Sequence, residues 1–201
     1  MIRVLLADDE NLIRSALAQM LDLEDDIEVV AEAADGAEAL AAARRTAPDV
    51  AVLDLQMPDV DGITLAEQLA RELPDCRSMI VTSHGRPGYL KRALASGVKG
   101  FLPKTTSAAT LAQVVRIVHA GGRHVDPELA AEAITAGDSP LTPRETDVLE
   151  AAADGAPVED IARRVHLSPG TVRNYLSSAV AKLGASNRHE AAATARRMGW
   201  I

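Results

Sequence analysis

The chain has few aromatic residues and almost no cysteine. Of its 201 residues, the aromatic ones are Phe101, Tyr89, Tyr175 and Trp200. Hydrophobic cores must therefore be built from alanine, leucine and valine. Because Cys76 is the single cysteine, an intramolecular disulfide is impossible, and a reducing compartment such as the cytoplasm is expected.

Long apolar runs are also missing, and charge is distributed unevenly along the chain. No stretch approaches the roughly 18 residues of a membrane-spanning helix, and the amino terminus turns acidic too soon for a signal peptide, so we expect no membrane insertion. The net charge is −8, yet residues 168–201 carry five Lys/Arg against one Glu. An acidic front and a basic end fit a cation-binding domain joined to an anion-binding one, although ordinary surface charge explains so mild an asymmetry equally well.

Five short apolar runs alternate with amphipathic patterns in the first 120 residues. Their β-branched and leucine-rich composition is typical of strands buried on both faces. The runs are Ile2–Ala7, Ile27–Ala31, Val50–Leu53, Met79–Thr82 and Val98–Leu102. Five successive strand–helix units predict a doubly wound parallel α/β sheet with right-handed crossovers.

After residue 121 the pattern changes to helices alone. Residues 122–140 form a predicted linker with a short helix from Asp126 and a break at Gly137-Asp138. Thr142 and Glu145 then form a capping box at the start of the next helix. The predicted domains are residues 1–121 and 141–201, the second being small and all-α.

Polar side chains lie at the carboxyl ends of the predicted strands or just after them: Asp8, Asp9, Asp54, Thr82 and Lys104. Because ligand sites in open α/β sheets lie at this edge, we expect these side chains to converge. Clustered carboxylates suit Mg²⁺, which prefers oxygen ligands. We predict Asp9 and Asp54 as direct ligands, Asp8 as a ligand through water, and Gln56 as a ligand through its main-chain carbonyl.

Asp54 is the predicted nucleophile of this group. A carboxylate can attack a phosphoryl group and form an aspartyl phosphate. The developing charge would be held by the metal, by Lys104, and by Thr82 or a backbone N–H. Each residue alone has a commoner explanation, such as a turn, a cap or a solvated flank, so the hypothesis depends on the whole set.

The motifs around these residues resemble the receiver domain of bacterial response regulators. The matching pieces are Leu6-Ala7-Asp8-Asp9-Glu10, Asp54-Leu55-Gln56-Met57-Pro58-Asp59-Val60-Asp61-Gly62, Thr82-Ser83 and Gly100-Phe101-Leu102-Pro103-Lys104. The resemblance implies a flavodoxin-like, five-stranded parallel sheet of order 2-1-3-4-5 and phosphotransfer from a sensor histidine kinase. It also implies a switch in which Thr82 moves toward the phosphoryl group and Phe101 rotates inward, although Phe101 could equally be a plain core residue. Thr105 stands where many members have proline, which leaves both isomers of the Lys104–Thr105 bond open.

The segment 171–183 has an apolar stripe and an opposite polar face. The polar face comprises Arg173, Asn174, Ser177, Ser178, Ala181 and Lys182. Short side chains let a helix enter the major groove of DNA, where arginine reads guanine and asparagine reads adenine. Ser168 and Thr171 lie at the helix start, which favours a phosphate. On the pattern alone, a solvated amphipathic helix would be the simpler interpretation.

The segment Leu141–Ala191 resembles the LuxR-type helix-turn-helix of NarL/FixJ regulators. The matching pieces are Leu141-Thr142-Pro143-Arg144-Glu145, Val148-Leu149, Gly155, Asp160-Ile161-Ala162, Leu167-Ser168, Thr171-Val172-Arg173-Asn174-Tyr175, Lys182-Leu183 and Arg188-His189-Glu190-Ala191. The resemblance implies base or backbone contacts from Arg173 and Asn174, and a phosphate contact from Lys182. The alanines of the last helix are either a dimerisation surface or the core of the domain itself. Within the family, Arg86-Pro87-Gly88-Tyr89-Leu90, Gly97-Val98-Lys99-Gly100 and the tail that contains Trp200 resemble regulators of the membrane-lipid desaturase system.

Together these features predict a phosphorylation-controlled transcriptional regulator that binds double-stranded DNA as a homodimer. The dimer would form through the helix after the fourth strand, or through the first and last receiver helices. One rival is an aspartyl-phosphate phosphatase, but that enzyme usually needs an Asp where Gln56 stands, so we expect no enzyme beyond self-phosphorylation and dephosphorylation. The other rival is a DNA-binding protein whose receiver is only a scaffold, against which the complete acid set argues weakly.

Overall fold

The computed structural model describes residues 1–83, 87–135 and 139–201, and only the backbone of Pro87, Thr135 and Pro143. The predicted break at Gly137-Asp138 and the first residue of the segment 86–90 lie outside these ranges. The strands are β1 (Ile2–Ala7), β2 (Ile27–Ala33), β3 (Val50–Leu53), β4 (Arg77–Thr82), β5 (Gly100–Pro103) and β6 (His124–Val125). The helices are α1 (Asn11–Leu21), α2 (Gly36–Thr46), α3 (Gly62–Glu72), α4 (Pro87–Ala95), α5 (Ala108–His119), α6 (Pro127–Thr135), α7 (Pro143–Ala151), α8 (Val158–Arg164), α9 (Pro169–Lys182) and α10 (Arg188–Arg197).

All strands of the described sheet are parallel, in the order β2-β1-β3-β4-β5-β6. The predicted class and the order 2-1-3-4-5 are confirmed, but the predicted count of five strands is wrong. The additional strand, β6, pairs with β5 through Gly100–His124 and Phe101–Val125. It has only two residues, too few to show the alternation by which a strand is found in a sequence.

Helices cover both faces of the sheet. Alternate residues of a strand point to opposite faces, and in β1 Val4 and Leu6 pack in a cluster with residues of α1 and α5. Leu5 lies between them, is fully buried and faces the other side, where α2 contacts β1 and α3 contacts β4. Because the strands are parallel, their carboxyl ends lie at one edge of the sheet. This edge carries the predicted site.

Helices α7 to α10 surround a separate core that includes Val148, Ile161 and Val172. The predicted capping box is confirmed, since the Thr142 hydroxyl accepts from the Glu145 N–H and the Glu145 carboxylate accepts from the Thr142 N–H. Alanines 191, 192 and 195 of α10 are buried in this core. Of the two interpretations of these alanines, the structure therefore supports the domain's own core.

The chain divides into two compact units, residues 1–85 with 90–131, and residues 86–89 with 132–201. Across the described positions every peptide bond is trans, including Lys104–Thr105, whose isomer the sequence left open. In the same parts of the chain, no helix is both long and apolar enough to cross a membrane.

Candidate functional site

The carboxyl edge of the sheet holds the predicted polar side chains on loops that continue the strand ladder. Asp54 follows β3, and its N–H donates to the carbonyl of Ala7 at 2.7 Å. Lys104 follows β5, and its N–H donates to the carbonyl of Thr82 at 2.9 Å. Since these main-chain bonds tie each loop to the neighbouring strand, the side chains start from fixed positions at one rim.

The ammonium of Lys104 is the centre of the site. Its Nζ lies 2.8 Å from Asp8 Oδ2, 2.8 Å from Glu10 Oε1 and 3.1 Å from Asp54 Oδ2. The side chains of Lys104, Asp8 and Asp54 are 7%, 3% and 6% exposed, whereas that of Glu10 is 53% exposed. A buried cation thus contacts two buried carboxylates and a third at the surface, and its single charge balances only part of theirs.

Burial and the neighbouring opposite charge shift the pKa in opposite directions, both for Asp54 and for Lys104. Burial raises the pKa of the Asp54 carboxyl, the charge and hydrogen bond of the adjacent Lys104 lower it, and the charge of Asp8 raises it, so that the pKa lies above its ordinary value. For Lys104, burial lowers the pKa, but hydrogen bonds to Asp8, Glu10 and Asp54 outweigh it, so the pKa is raised above its ordinary value. The ammonium therefore stays protonated, as a clamp for negative charge requires.

A cavity of about 320 Å³ opens beside these side chains. It is lined by Asp9, Glu10, Asp54, Gln56, Thr82, Ser83 and Lys104. The structure thus places Asp9 and Gln56, both exposed, at the same cavity as Asp54, Thr82 and Lys104. Carboxylate oxygens of Asp8, Glu10 and Asp54 all lie within 4.8 Å of one another, and magnesium prefers such hard oxygen donors. Asp9, predicted as a direct ligand, lines the cavity but does not belong to this group of three.

Two residues of this site were missed by the sequence interpretation. Glu10 comes after the acid pair and reaches Lys104 from across the rim, so a search of strand ends does not find it. Arg14, on α1, donates to the carbonyl of Asp8 at 2.6 Å, and its Nε lies 3.5 Å from a carboxylate oxygen of Glu32. The sequence gives little indication of a role for Arg14, because helices commonly carry an arginine on their surface.

The two predicted switch residues lie inside the fold. Thr82, the last residue of β4, is 1% exposed and lines the cavity. Phe101 of β5 is fully buried and stands beside Ile80 in the strand register. Thr82 therefore lies at the site itself, whereas Phe101 lies in the core, on the strand next to β4.

In the second unit, helix α9 presents part of its predicted face to solvent. Ser168 is its N-cap and accepts from the Thr171 N–H at 3.1 Å. Arg173 and Asn174 are exposed in the first half of the helix. The guanidinium of Arg173 lies 3.2 Å from the carboxylate of Glu159 on α8, an exposed pair of the kind that contributes little to stability.

The other end of the α9 face is engaged within the domain. Glu145 of α7 is 4% exposed and accepts from the Ser178 hydroxyl at 2.6 Å and from the Lys182 ammonium at 2.7 Å. Lys182, Ser178 and the Thr142 N–H together lower the pKa of Glu145 to about 2. The ammonium of Lys182 keeps two further N–H donors, and its side chain is 36% exposed.

Comparison with known proteins assigns a family to each unit. Residues 4–116 match the family described as "Response regulator receiver domain". Residues 139–195 match "Bacterial regulatory proteins, luxR family". Each match covers one of the two groups of predicted functional residues, with Asp54 and Lys104 in the first and Arg173 in the second.

Relatives match the chain over its whole length. The transcriptional regulatory protein DesR of Bacillus subtilis (strain 168) is 40% identical over 201 residues, covering all of both chains. The uncharacterized transcriptional regulatory protein YvfU of the same organism is also 40% identical with the same coverage. Among solved structures, the two-component response regulator RcsB in complex with DNA is 25% identical, with a TM-score of 0.67 over 98% of each chain.

Proposed function

Since the chain belongs to the response regulators that join a receiver domain to a LuxR-type DNA-binding domain, we propose that phosphorylation of Asp54 controls its binding to DNA. The observation that carries this proposal is the contact of the Lys104 ammonium with Asp54 at 3.1 Å and with Asp8 at 2.8 Å. It brings a nucleophile and a cation for phosphoryl oxygens to one cavity. A sensor histidine kinase is the donor, and the cytoplasm, where such a donor and the chromosome meet, is the location.

The reaction is a transfer between two nucleophiles. A carboxylate oxygen of Asp54 attacks phosphorus, the P–N bond of the donor phosphohistidine breaks, and the imidazole leaves with the electron pair. Lys104 and the Thr82 hydroxyl hold phosphoryl oxygens while charge develops on them. Later attack by water returns the Asp54 carboxylate and phosphate, so the only turnover is that of the protein's own phosphoryl group.

Mg²⁺ is the cofactor that suits this site. Asp8, Asp9, Asp54 and the main-chain carbonyl of Gln56 would hold it, and their oxygen donors match its preference. The ion would neutralise charge on the phosphoryl group and on the clustered acids. The close approach of the Asp8 and Asp54 carboxylates supports this assignment.

Phosphorylation acts by shifting a population between two receiver surfaces. The phosphoryl oxygens bind Thr82 and Lys104 better in the active arrangement, into which Phe101 rotates. A coupling of about 1–3 kcal/mol changes an affinity severalfold to a hundredfold and would be sufficient. The active receiver forms a homodimer, through α4 and its neighbours or through α1 and α5.

The dimer presents two copies of α9 to double-stranded DNA. Arg173 and Asn174 contact bases or backbone, and Ser168 and Thr171 hold a phosphate at the helix start. Lys182 contacts a phosphate with the donors that Glu145 leaves free, and Ser178 supports it from the same face. Residues 1–121 form the receiver, 122–140 the linker and 141–201 the DNA-binding domain.

Labelling with acetyl phosphate and Mg²⁺ tests the proposal. Wild type should take up one phosphoryl group, and Asp54→Asn should take up none because an amide is a poor nucleophile. Asp9→Asn should label slowly, with a higher requirement for Mg²⁺. Labelling that survives Asp54→Asn would refute the assigned nucleophile. If labelled wild type shows no change in oligomeric state or DNA affinity, the receiver is a scaffold and the proposed control is wrong.

A further inference from the structure

In the resting site three carboxylates surround the Lys104 ammonium and occupy the space that a phosphoryl oxygen would need. An ammonium has three N–H donors; that of Lys104 donates to Glu10 at 2.8 Å and to Asp54 at 3.1 Å, and it forms an ion pair with Asp8, whose Oδ2 lies 2.8 Å from Nζ. The proposed transfer requires this ammonium to hold a phosphoryl oxygen. One of its three present partners must therefore be released during the reaction.

Glu10 is the partner that is released most easily. Its side chain is 53% exposed, so water replaces the lost bond, whereas those of Asp8 and Asp54 are almost fully buried. Exposed ion pairs are weak, while a buried carboxylate left unpaired is costly. The energetic order of release is therefore Glu10 first.

The position of Glu10 at the start of α1 would ordinarily give its side chain a capping role. It is the N-cap residue of α1, a position at which a side chain commonly accepts from the first N–H groups of the helix. The Glu10 side chain makes no such bond. It extends instead across the rim to Lys104, which couples the β1–α1 loop to the β5–α5 loop.

We infer that Glu10 is a positioning residue that holds the Lys104 ammonium in its resting place and must be displaced by the incoming phosphoryl group. The inference rests on the proposed function and adds a restraint to it. Glu10 thereby slows phosphorylation by small donors, because each productive encounter must first break its bond to Lys104.

The test compares labelling rates at several acetyl phosphate concentrations, with Mg²⁺ saturating for every variant. In this reaction an Asp54 oxygen attacks phosphorus and acetate leaves with the electrons of the broken P–O bond. Glu10→Gln removes the ion pair, and Glu10→Asp keeps the charge on a side chain too short to reach Lys104. Asp25→Asn is the control, since it removes one exposed carboxylate beyond the end of α1.

Both Glu10 variants should reach half-maximal rate at an acetyl phosphate concentration about threefold to fivefold below that of wild type. The maximal rate should not fall, and Asp25→Asn should behave as wild type. Slower labelling of Glu10→Gln would mean that Glu10 assists the transfer, which overturns the inference. Wild-type behaviour of Glu10→Asp would show that charge alone matters, and this too overturns it.

A second measurement needs neither metal nor phosphate. In EDTA, amide hydrogen exchange of residues 104–107 should be about threefold faster in Glu10→Gln than in wild type, because Lys104 is less restrained. In a Lys104→Met background the same change should add nothing. Unchanged exchange in Glu10→Gln overturns the inference, whereas labelling that persists in Asp54→Asn overturns only the proposed function.

Discussion

Gly62 is a residue on which the position of Asp54, the proposed nucleophile, depends, although glycine has no reactive side chain. A Cβ added there would lie 2.1 Å from the carbonyl oxygen of Asp54 and 3.0 Å from its carbonyl carbon. The backbone of Gly62 is outside the left-handed region, so space and not conformation requires glycine. Because the obstructing atoms belong to the main chain, a methyl group must push the Asp54 peptide away.

We therefore expect Gly62→Ala to slow labelling of Asp54 by about tenfold to a hundredfold, the usual effect of misplacing a reacting group by about 1 Å. Acetyl phosphate labelling of the full chain measures this. Gly170→Ala is the matched control, since its new Cβ would have its nearest contact at 3.8 Å, with Ser168. Equal rates for Gly62→Ala and wild type would contradict the argument.

At this scale the sequence predicted the residues that stand at strand ends and missed those that reach them from elsewhere. Asp8, Asp54 and Lys104 each follow a short buried strand, and parallel strands must bring such residues to one edge. Glu10 and Arg14 enter the site through side-chain direction and length. These depend on packing at the rim, which periodicity does not encode.

At the scale of elements, the pairing of α7 with α9 changes the meaning of the α9 pattern. The helical period correctly placed Ser178 and Lys182 off the apolar stripe. It could not reveal that Glu145, predicted as a capping residue, also lies against them. One carboxylate thus caps the start of α7 and also binds α9, so the helix proposed to read DNA is held by a residue outside it.

The low pKa of Glu145 predicts how the stability of this pairing depends on pH. Its pKa falls from an ordinary 4.5 to about 2 on folding, so the folded state binds fewer protons than the unfolded state. The stabilisation is fully present above about pH 4.5 and is lost as the pH falls toward 2. Trp200 packs on the core of this unit and is the only tryptophan of the chain, so its fluorescence follows urea unfolding there.

Glu145→Gln should lower the free energy of unfolding at pH 7 by about 1–3 kcal/mol, the usual effect of losing hydrogen bonds to a charged group. Between pH 4.5 and 2 its urea midpoint should fall less than that of wild type. Some dependence should remain, because the pKa values of Asp154 and Glu190 are also lowered. Glu150→Gln, an exposed change on the same helix, should follow wild type, and an equally steep fall in Glu145→Gln would contradict the assignment.

At the scale of the whole molecule, the sequence predicted two kinds of unit because hydrophobic periodicity changes after residue 121. Alternating strand and helix patterns require a parallel sheet, whereas helices alone cannot make one. The weak strand β6 and the helix α6 lie in the segment that was predicted as linker. The helix α6 corresponds to the short helix predicted there from Asp126, whereas β6 was not predicted, because only pairing with β5 makes a strand of His124–Val125.

The exposed position of Arg173 on α9, in the unit proposed to bind DNA, predicts how DNA binding responds to a change in this residue. Its pair with Glu159 is exposed and weak, so a base can replace it. With DNA selected from a random pool by the phosphorylated protein, Arg173→Gln should weaken binding by about 1–3 kcal/mol, the usual range for one bidentate base contact. Binding to unselected DNA should change much less.

Arg45→Gln, an exposed change of the same kind on α2 of the receiver, is the control and should leave both affinities unchanged. Equal weakening on selected and unselected DNA would instead assign Arg173 to the phosphate backbone, and the salt dependence of binding should then decrease by about 0.9 in log–log slope.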